Sequence, residues 1–135
     1  MYPRYWAVRT GTVLGALMIG GAALNAALLA TDPQLYQALG DWLGGPELLR
    51  RLWAATLGAR PLVWVPIVGI GYELAVGLLA LARDPRRRLV GLAGIAVFHM
   101  GLLVMGLWPW AVPVLAAVGA AAVGTWRGMR AEIAR

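Results

Sequence analysis

The chain has no cysteine and no lysine, and charged residues make up only 13% of it. Without cysteine it can form no disulfide, thiolate metal site, iron–sulfur cluster or dithiol redox centre of its own. Soluble domains usually contain about 25% charged residues, whereas this chain is 61% hydrophobic and has a mean hydropathy of +0.71. A soluble domain of 135 residues has too little interior to hide so much apolar surface. The composition therefore indicates an integral membrane protein.

All 12 basic residues are arginines, and they give the chain a formal net charge of +6. A basic chain of this kind suggests nucleic acid as a partner, but the arginines lie at the ends of apolar runs rather than along one amphipathic face. Aromatic residues do not alternate with them in a stacking pattern. We therefore expect no nucleic acid partner, and we interpret the arginines as determinants of membrane topology.

Four apolar runs are long enough to cross a bilayer, because a helix that rises about 1.5 Å per residue needs roughly 20 apolar residues to do so. They cover residues 10–30, 61–82, 89–108 and 110–126. Backbone groups cannot stay unpaired in lipid, so all four runs are predicted to be helices. The first run is longer than the apolar region of a secretory signal and lacks a small-residue cleavage site. The prediction is one domain, an all-α four-helix membrane bundle.

The arginines also predict the orientation, since positive residues accumulate in cytoplasmic segments. With both termini inside, nine arginines are cytoplasmic: Arg4, Arg9, Arg83, Arg86, Arg87, Arg88, Arg127, Arg130 and Arg135. The opposite side holds three, with three acidic residues: Arg50, Arg51, Arg60, Asp32, Asp41 and Glu47. Aromatic residues at the span ends are predicted interface anchors: Tyr5, Trp6 and Trp126 inside, and Trp64, Trp108 and Trp110 outside.

The outer loop, residues 32–60, carries apolar residues at helical spacing on both sides of Gly44-Gly45. Asp32-Pro33 and Pro46 are well placed to open helices. We therefore predict two short amphipathic helices in this loop. Two interpretations stay open, a connector that lies in the membrane interface and a lid over an intramembrane pocket.

Small residues dominate the spans. Gly11 and Gly15, and then Gly21 and Asn25, are four residues apart on the first helix, a spacing that lets membrane helices pack closely. Glu73 shares its predicted helix face with small residues and a proline, namely Pro66, Gly69, Gly77 and Ala80. This face forms a groove for a ligand or for a neighbouring backbone, and Pro66 is expected to free a carbonyl and bend the helix there.

Three strongly polar residues occur inside the spans, namely Asn25, Glu73 and the only histidine, His99. Ionisable residues within a membrane are expensive and default to a functional hypothesis. Counting along the second and third helices places Glu73 and His99 near the same depth, with Asn25 towards the outer half of the first helix. These residues, with Tyr72, are the predicted ligand-binding site.

Three roles for Glu73 stay open. It is a neutral acid that joins helices by hydrogen bonding to His99, Tyr72 or a carbonyl, a contact for a ligand such as a quinone, or a group that transfers protons. His99 is a hydrogen-bonded core residue or a ligand contact. Haem ligation by two histidines would need a second chain, and one histidine with one glutamate is an incomplete metal site.

The chain resembles the DoxX-like family of small four-helix membrane proteins. The resemblance lies in the Gly ridge with Asn25, in Thr31-Asp32-Pro33-x-x-Tyr36, in Leu52-Trp53, in the run from Tyr72-Glu73 through Gly77 to Leu81, and in Gly91-Leu92-x-Gly94. It implies a compact bundle in the bacterial cytoplasmic membrane. Some relatives are subunits of quinone-linked oxidoreductases such as thiosulfate:quinone oxidoreductase.

We expect an accessory subunit, not catalytic on its own, that holds an apolar ligand in its bundle near Glu73 and His99. The ligand is a quinone or a lipid, and no other cofactor or metal is expected. The alternatives are a small proton-coupled transporter that uses Glu73 as its protonation switch and a structural protein that binds a partner. The expected partners are the lipid bilayer, a membrane or peripheral redox protein, and a second copy of the chain.

Overall fold

The computed structural model of this protein describes the backbone of residues 3–134 and the side chains of residues 5–134. Residues 3–134 contain helices and short connections and no strand. Four helical stretches are long and apolar enough to cross a membrane, Tyr5–Thr31, Pro61–Leu81, Pro85–Val104 and Trp108–Ile133. The predicted all-α bundle with four spans is therefore confirmed, and the protein is a multi-pass membrane protein.

The helices follow one another with short connections. The first span is α1 (Pro3–Thr31), and the outer segment contains α2 (Leu35–Trp42), α3 (Glu47–Trp53) and a π-helical turn (Ala54–Gly58). The second span is α4 (Pro61–Trp64), a π-helical segment (Val65–Tyr72) and α5 (Glu73–Leu81). The third and fourth spans are α6 (Pro85–Val104) and α7 (Trp108–Ile133). Both helices predicted in the outer loop are confirmed.

The predicted bounds of the third and fourth spans are wrong at the connection between them. The helix α6 ends at Val104, because Gly106 adopts a φ of 89° that an α-helix cannot contain. The Gly106 N–H donates to the Leu103 carbonyl and the Leu107 N–H to the Leu102 carbonyl, the pattern of a glycine C-cap. Trp108 therefore begins α7, with Pro109 in its first turn.

The four spans form a ring. The helix α1 packs against α5 and α7, α6 packs against the same two helices, and α1 and α6 also meet across the middle. The buried apolar core lies at this centre: Leu14, Met18, Val76, Ala80, Leu92, Ile95, Val114, Val118 and Ala121. Large apolar side chains on the outside are exposed, as a lipid-facing surface requires.

Glycines bring the helices into close contact, as predicted for the first helix. A Cβ on Gly15 would lie 2.8 Å from the Gly77 carbonyl oxygen, and a Cβ on Gly77 would lie 2.9 Å from that of Gly15. The backbone of α1 therefore occupies the small-residue groove beside Glu73, which leaves less of that groove for a ligand. Pro66 is exposed and does not share this buried face, because the π-helical segment turns fewer degrees per residue than an α-helix.

The outer helices fold onto one end of the bundle, which we call the loop end. Gly45, with a φ of 103°, lies directly against the Val104 carbonyl at the connection between α6 and α7. Trp53 donates its indole N–H to the Tyr36 carbonyl at 2.7 Å, which joins α3 to α2. The opposite, arginine-rich end holds Arg9, the connection between α5 and α6, and the last turns of α7. Arg135 and the side chain of Arg4 lie outside the described residues.

Candidate functional site

Glu73 is the centre of the candidate site. It begins α5 immediately after the π-helical segment and is only 5% exposed. Its Oε1 accepts a hydrogen bond from Asn25 Nδ2 at 3.3 Å. Its Oε2 is buried and has no hydrogen-bond partner within the described part of the chain. A Cβ on Gly21 would lie 2.5 Å from Oε2, so the absence of a side chain at Gly21 gives this oxygen its space.

Asn25 holds the other carboxyl oxygen of Glu73 from α1. Its Nδ2 also donates to the Gly69 carbonyl at 3.1 Å, and since a carbonyl can only accept, this contact defines the orientation of the amide. Its Oδ1 accepts a hydrogen bond from the Tyr36 hydroxyl at 2.7 Å. Burial raises the pKa of the Tyr36 phenol above its ordinary value.

The π-helical segment is part of this arrangement. Pro66 lacks an N–H, and the expectation that it frees a carbonyl and bends the second span stays a prediction. At this point of the span the structure has a π-helical segment, Val65–Tyr72. Within this segment the Gly69 carbonyl accepts a hydrogen bond from the Asn25 side chain. Such π turns are found disproportionately at functional sites.

His99 lies across the bundle centre on α6 and is 4% exposed. Its Nδ1 is 2.9 Å from the Ile95 carbonyl, which can only accept, so the proton of the neutral ring is on Nδ1. Nε2 is then the acceptor nitrogen. The ring packs edge-on against Phe98 at 5.5 Å and lies 6.5 Å from the Trp110 ring.

Glu73 and His99 line one cavity of about 130 Å³. Its other walls are mainly apolar and come from three helices: Leu14, Leu17, Met18 and Gly21 of α1, Ile95 and Phe98 of α6, and Trp110 and Val114 of α7. Leu17 is 48% exposed and Trp110 is 53% exposed. The cavity therefore reaches the lipid-facing surface between α1 and α7, with the two polar groups at its inner wall.

The structure brings together most of the predicted site. Asn25 is hydrogen-bonded to Glu73 but does not line the cavity, whereas Glu73 and His99 both line it. Tyr72 is elsewhere: its hydroxyl donates to the Gly94 carbonyl at 2.8 Å and its ring stacks on Phe98 at 6.2 Å. Tyr72 joins the second span to α6 and does not line this cavity, so its role as a ligand contact stays a prediction.

Sequence reasoning missed three contributors. Tyr36 was treated as part of an amphipathic segment, Gly21 as part of a packing ridge, and Trp110 only as an interface anchor. A tyrosine eleven residues after a membrane asparagine is too common a pattern to have identified the pair. Within the described residues, no group of three or more acidic, histidine or cysteine side chains is placed to hold a metal ion.

The tryptophans predicted as anchors are all exposed at the ends of the bundle, Trp6 and Trp126 at the arginine-rich end and Trp64, Trp108 and Trp110 at the loop end. Arg130 stacks on the Trp126 ring with its guanidinium 5.3 Å from the ring centre. Anchoring in a bilayer stays a prediction.

Comparison with models of protein families, with curated proteins and with solved structures finds no match to this chain. The resemblance to the DoxX-like family therefore stays a prediction.

Proposed function

We propose that this protein binds the polar ring of an apolar lipid, a quinone or quinol in the first instance, between Glu73 and His99. The observation that supports this most is Glu73 Oε2, a buried oxygen without a hydrogen-bond partner in the described residues. Leaving such a group unpaired costs about 1–3 kcal/mol. A ligand that supplies the missing hydrogen bond recovers part of that free energy.

The cavity volume limits what enters. At about 130 Å³ it compares with the roughly 150 Å³ engineered cavity that holds benzene. One six-membered ring, or a short length of lipid chain, fills this space, whereas a whole isoprenoid lipid does not. The tail then leaves between Leu17 and Trp110 and lies in the bilayer.

The two polar groups have complementary roles in this proposal. Apolar surroundings disfavour the carboxylate, so Glu73 is the neutral acid and donates from Oε2 to a ligand oxygen. His99, with its proton on Nδ1, accepts at Nε2 from a ligand hydroxyl. A quinol carries oxygens that accept and hydroxyl groups that donate, so it satisfies both residues.

In the wider proposal the protein is an accessory subunit of the bacterial cytoplasmic membrane, with its arginine-rich end in the cytoplasm, that serves a quinone-linked redox partner. The excess of arginines at one end supports the orientation. The resemblance to the DoxX-like family supports a quinone-linked oxidoreductase as the partner.

The binding proposal is tested by blocking the cavity mouth. Leu17→Trp places an indole over the opening, and because Leu17 is already exposed the fold should tolerate it. We expect the affinity for a short-chain benzoquinol, measured by isothermal titration in detergent, to fall at least tenfold. Leu24→Trp, on the same helix and also exposed but outside the cavity, is the matched control and should bind normally. Equal binding by wild type and Leu17→Trp would refute the site.

One observation favours a second function, that of a proton-coupled transporter. The hydrogen-bonded chain Tyr36–Asn25–Glu73 joins the loop end to the intramembrane acid. Glu73→Gln keeps the size and the hydrogen bonds of the side chain but removes its exchangeable charge. Loss of pH-driven flux in proteoliposomes with quinol binding retained would support the transporter, and unchanged flux would remove it.

A further inference from the structure

A second cavity lies at the arginine-rich end of the bundle. It has a volume of about 190 Å³ and lies between the start of α1, the connection before α6 and the end of α7. Arg83 and Arg88 line it together with apolar side chains, among them Ala7, Val8 and Met129. Positive charge and apolar surface therefore face the same space.

Arg88 is the unusual member, since it is only 8% exposed. Its Nε donates to the Ala80 carbonyl at 3.3 Å and its Nη2 donates to the Ala82 carbonyl at 2.8 Å. These carbonyls lie at the end of α5, where helix carbonyls lack partners and a positive charge is favourable. Arg88 therefore caps α5, and this role accounts for two of its hydrogen bonds.

The backbone carbonyls of this cap do not neutralise the positive charge of Arg88. Both of these hydrogen bonds end on neutral backbone carbonyls, and they use only the Nε and Nη2 donors of Arg88. A guanidinium has five N–H donors, and burying a cation without an anion is expensive. The remaining N–H groups belong to a residue that lines the cavity, so an anion entering there would complete the site.

The surroundings identify the kind of anion. Arg83 is a second, exposed cation at the rim, and Glu132, which has an interaction of its own, also lines the cavity. Arginine side chains are suited to recognise phosphate groups, so the two arginines favour an anion such as a phosphodiester. Ala7, Val8 and Met129 supply walls that a free ion does not need but that the glycerol and acyl carbons of a lipid do.

We propose that this cavity binds the phosphodiester of an anionic phospholipid, with Arg88 as the buried contact and Arg83 as the contact at the rim. Basic pockets between membrane helices near the cytoplasmic surface bind anionic head groups in this way. This inference is independent of the quinol proposal and concerns the other end of the bundle.

The test uses the full-length protein in neutral detergent, titrated with phosphatidylglycerol or phosphatidylcholine and measured by native mass spectrometry. We expect phosphatidylglycerol to bind at least tenfold more tightly than phosphatidylcholine. Arg83→Gln and Arg88→Gln should each reduce this preference by about fivefold, the effect of roughly one arginine contact at a membrane surface. Equal binding of the two lipids by the wild type would refute the proposal.

The matched control is Arg87→Gln, which removes the same charge from the same connection. Arg87 is exposed, lies outside the cavity and is 3.8 Å from Asp84. It should keep the lipid preference, and a loss equal to that of Arg83→Gln would indicate general surface attraction and overturn the site. If Arg88→Gln does not fold because the α5 cap is lost, the lipid preference of Arg83→Gln still tests the proposal. Full competition by millimolar inorganic phosphate would assign the site to a free ion and overturn the lipid assignment.

Discussion

Gly21→Ala is the substitution that tests the geometry of the candidate site most directly. The new methyl carbon would lie 2.5 Å from Glu73 Oε2 and 3.3 Å from Glu73 Cδ. The carboxyl group lies at the end of a flexible side chain, and it can move away only by weakening the hydrogen bond that Asn25 donates to Oε1. Overpacking of this kind costs about 1–3 kcal/mol, and we expect Gly21→Ala to be destabilised by that amount relative to its control.

The control is the neighbouring glycine. Gly20 is exposed, and a Cβ there would have no neighbour within 4 Å. Both substitutions replace a helical glycine by alanine, so the gain in helix propensity of up to ~1 kcal/mol applies to both and cancels in the comparison. Unfolding in mixed micelles of a neutral detergent and dodecyl sulfate, followed by circular dichroism, gives the two free energies.

Repeating the substitution in a Glu73→Ala background separates the contact with the carboxyl group from other effects of the new methyl group. In Glu73→Ala the carboxyl is gone, so the methyl of Gly21→Ala enters vacant space and should be neutral or stabilising. The sign of the Gly21→Ala effect should therefore reverse between the two backgrounds. Equal stability of Gly20→Ala and Gly21→Ala in the wild-type background would refute the placement of Glu73 against Gly21.

Two further predictions concern the outer segment and the topology. Tyr36→Phe removes the hydroxyl that donates to Asn25 and should lower the free energy of unfolding by about 0.6 kcal/mol, the average for hydrogen bonds between membrane helices, and by no more than about 1.7 kcal/mol. Tyr5→Phe, at the exposed end of α1, should change the free energy of unfolding by less than the error. The chain has no cysteine, so single cysteines can be introduced one at a time. Cysteines within 34–60 should react with a membrane-impermeant thiol reagent added outside, and a cysteine that replaces Arg86 should not react. The reverse labelling pattern would overturn the predicted orientation.

The sequence alone was sufficient for the parts of the fold that depend on local chemistry. Long apolar runs require helices in lipid, and Asp84-Pro85 ends one helix and begins the next, with the Asp84 side chain accepting from the Arg86 N–H. The glycines of the first span predicted a close helix contact, which Gly15 and Gly77 make. Gly106 was the readable signal for the end of α6, and giving it more weight than the apolar run that continues to Trp108 would have placed that end correctly.

The site was only partly predictable. The depth of a residue along its helix follows from counting residues, and this count predicted Glu73 and His99 at the same depth in the membrane. In the structure both residues line one cavity. The rotation of each helix about its axis does not follow from counting. In a membrane bundle the lipid-facing and core-facing sides are both apolar, so the pattern that orients a helix in a soluble protein is weak.

Tertiary structure therefore decided which polar atoms meet. It turned Tyr72 towards Gly94, moved Pro66 to the outside through the π-helical segment, and joined Tyr36 to Asn25. It also buried Arg88, which the sequence showed only as one of four arginines in a basic turn. The sequence determined that this protein is a four-span helical bundle with few polar groups in its spans. The packing of α1 against its neighbours determined that one carboxyl oxygen of Glu73 has no hydrogen-bond partner among the residues that the structure describes. Side-chain contacts between helices depend on rotations that no local pattern encodes.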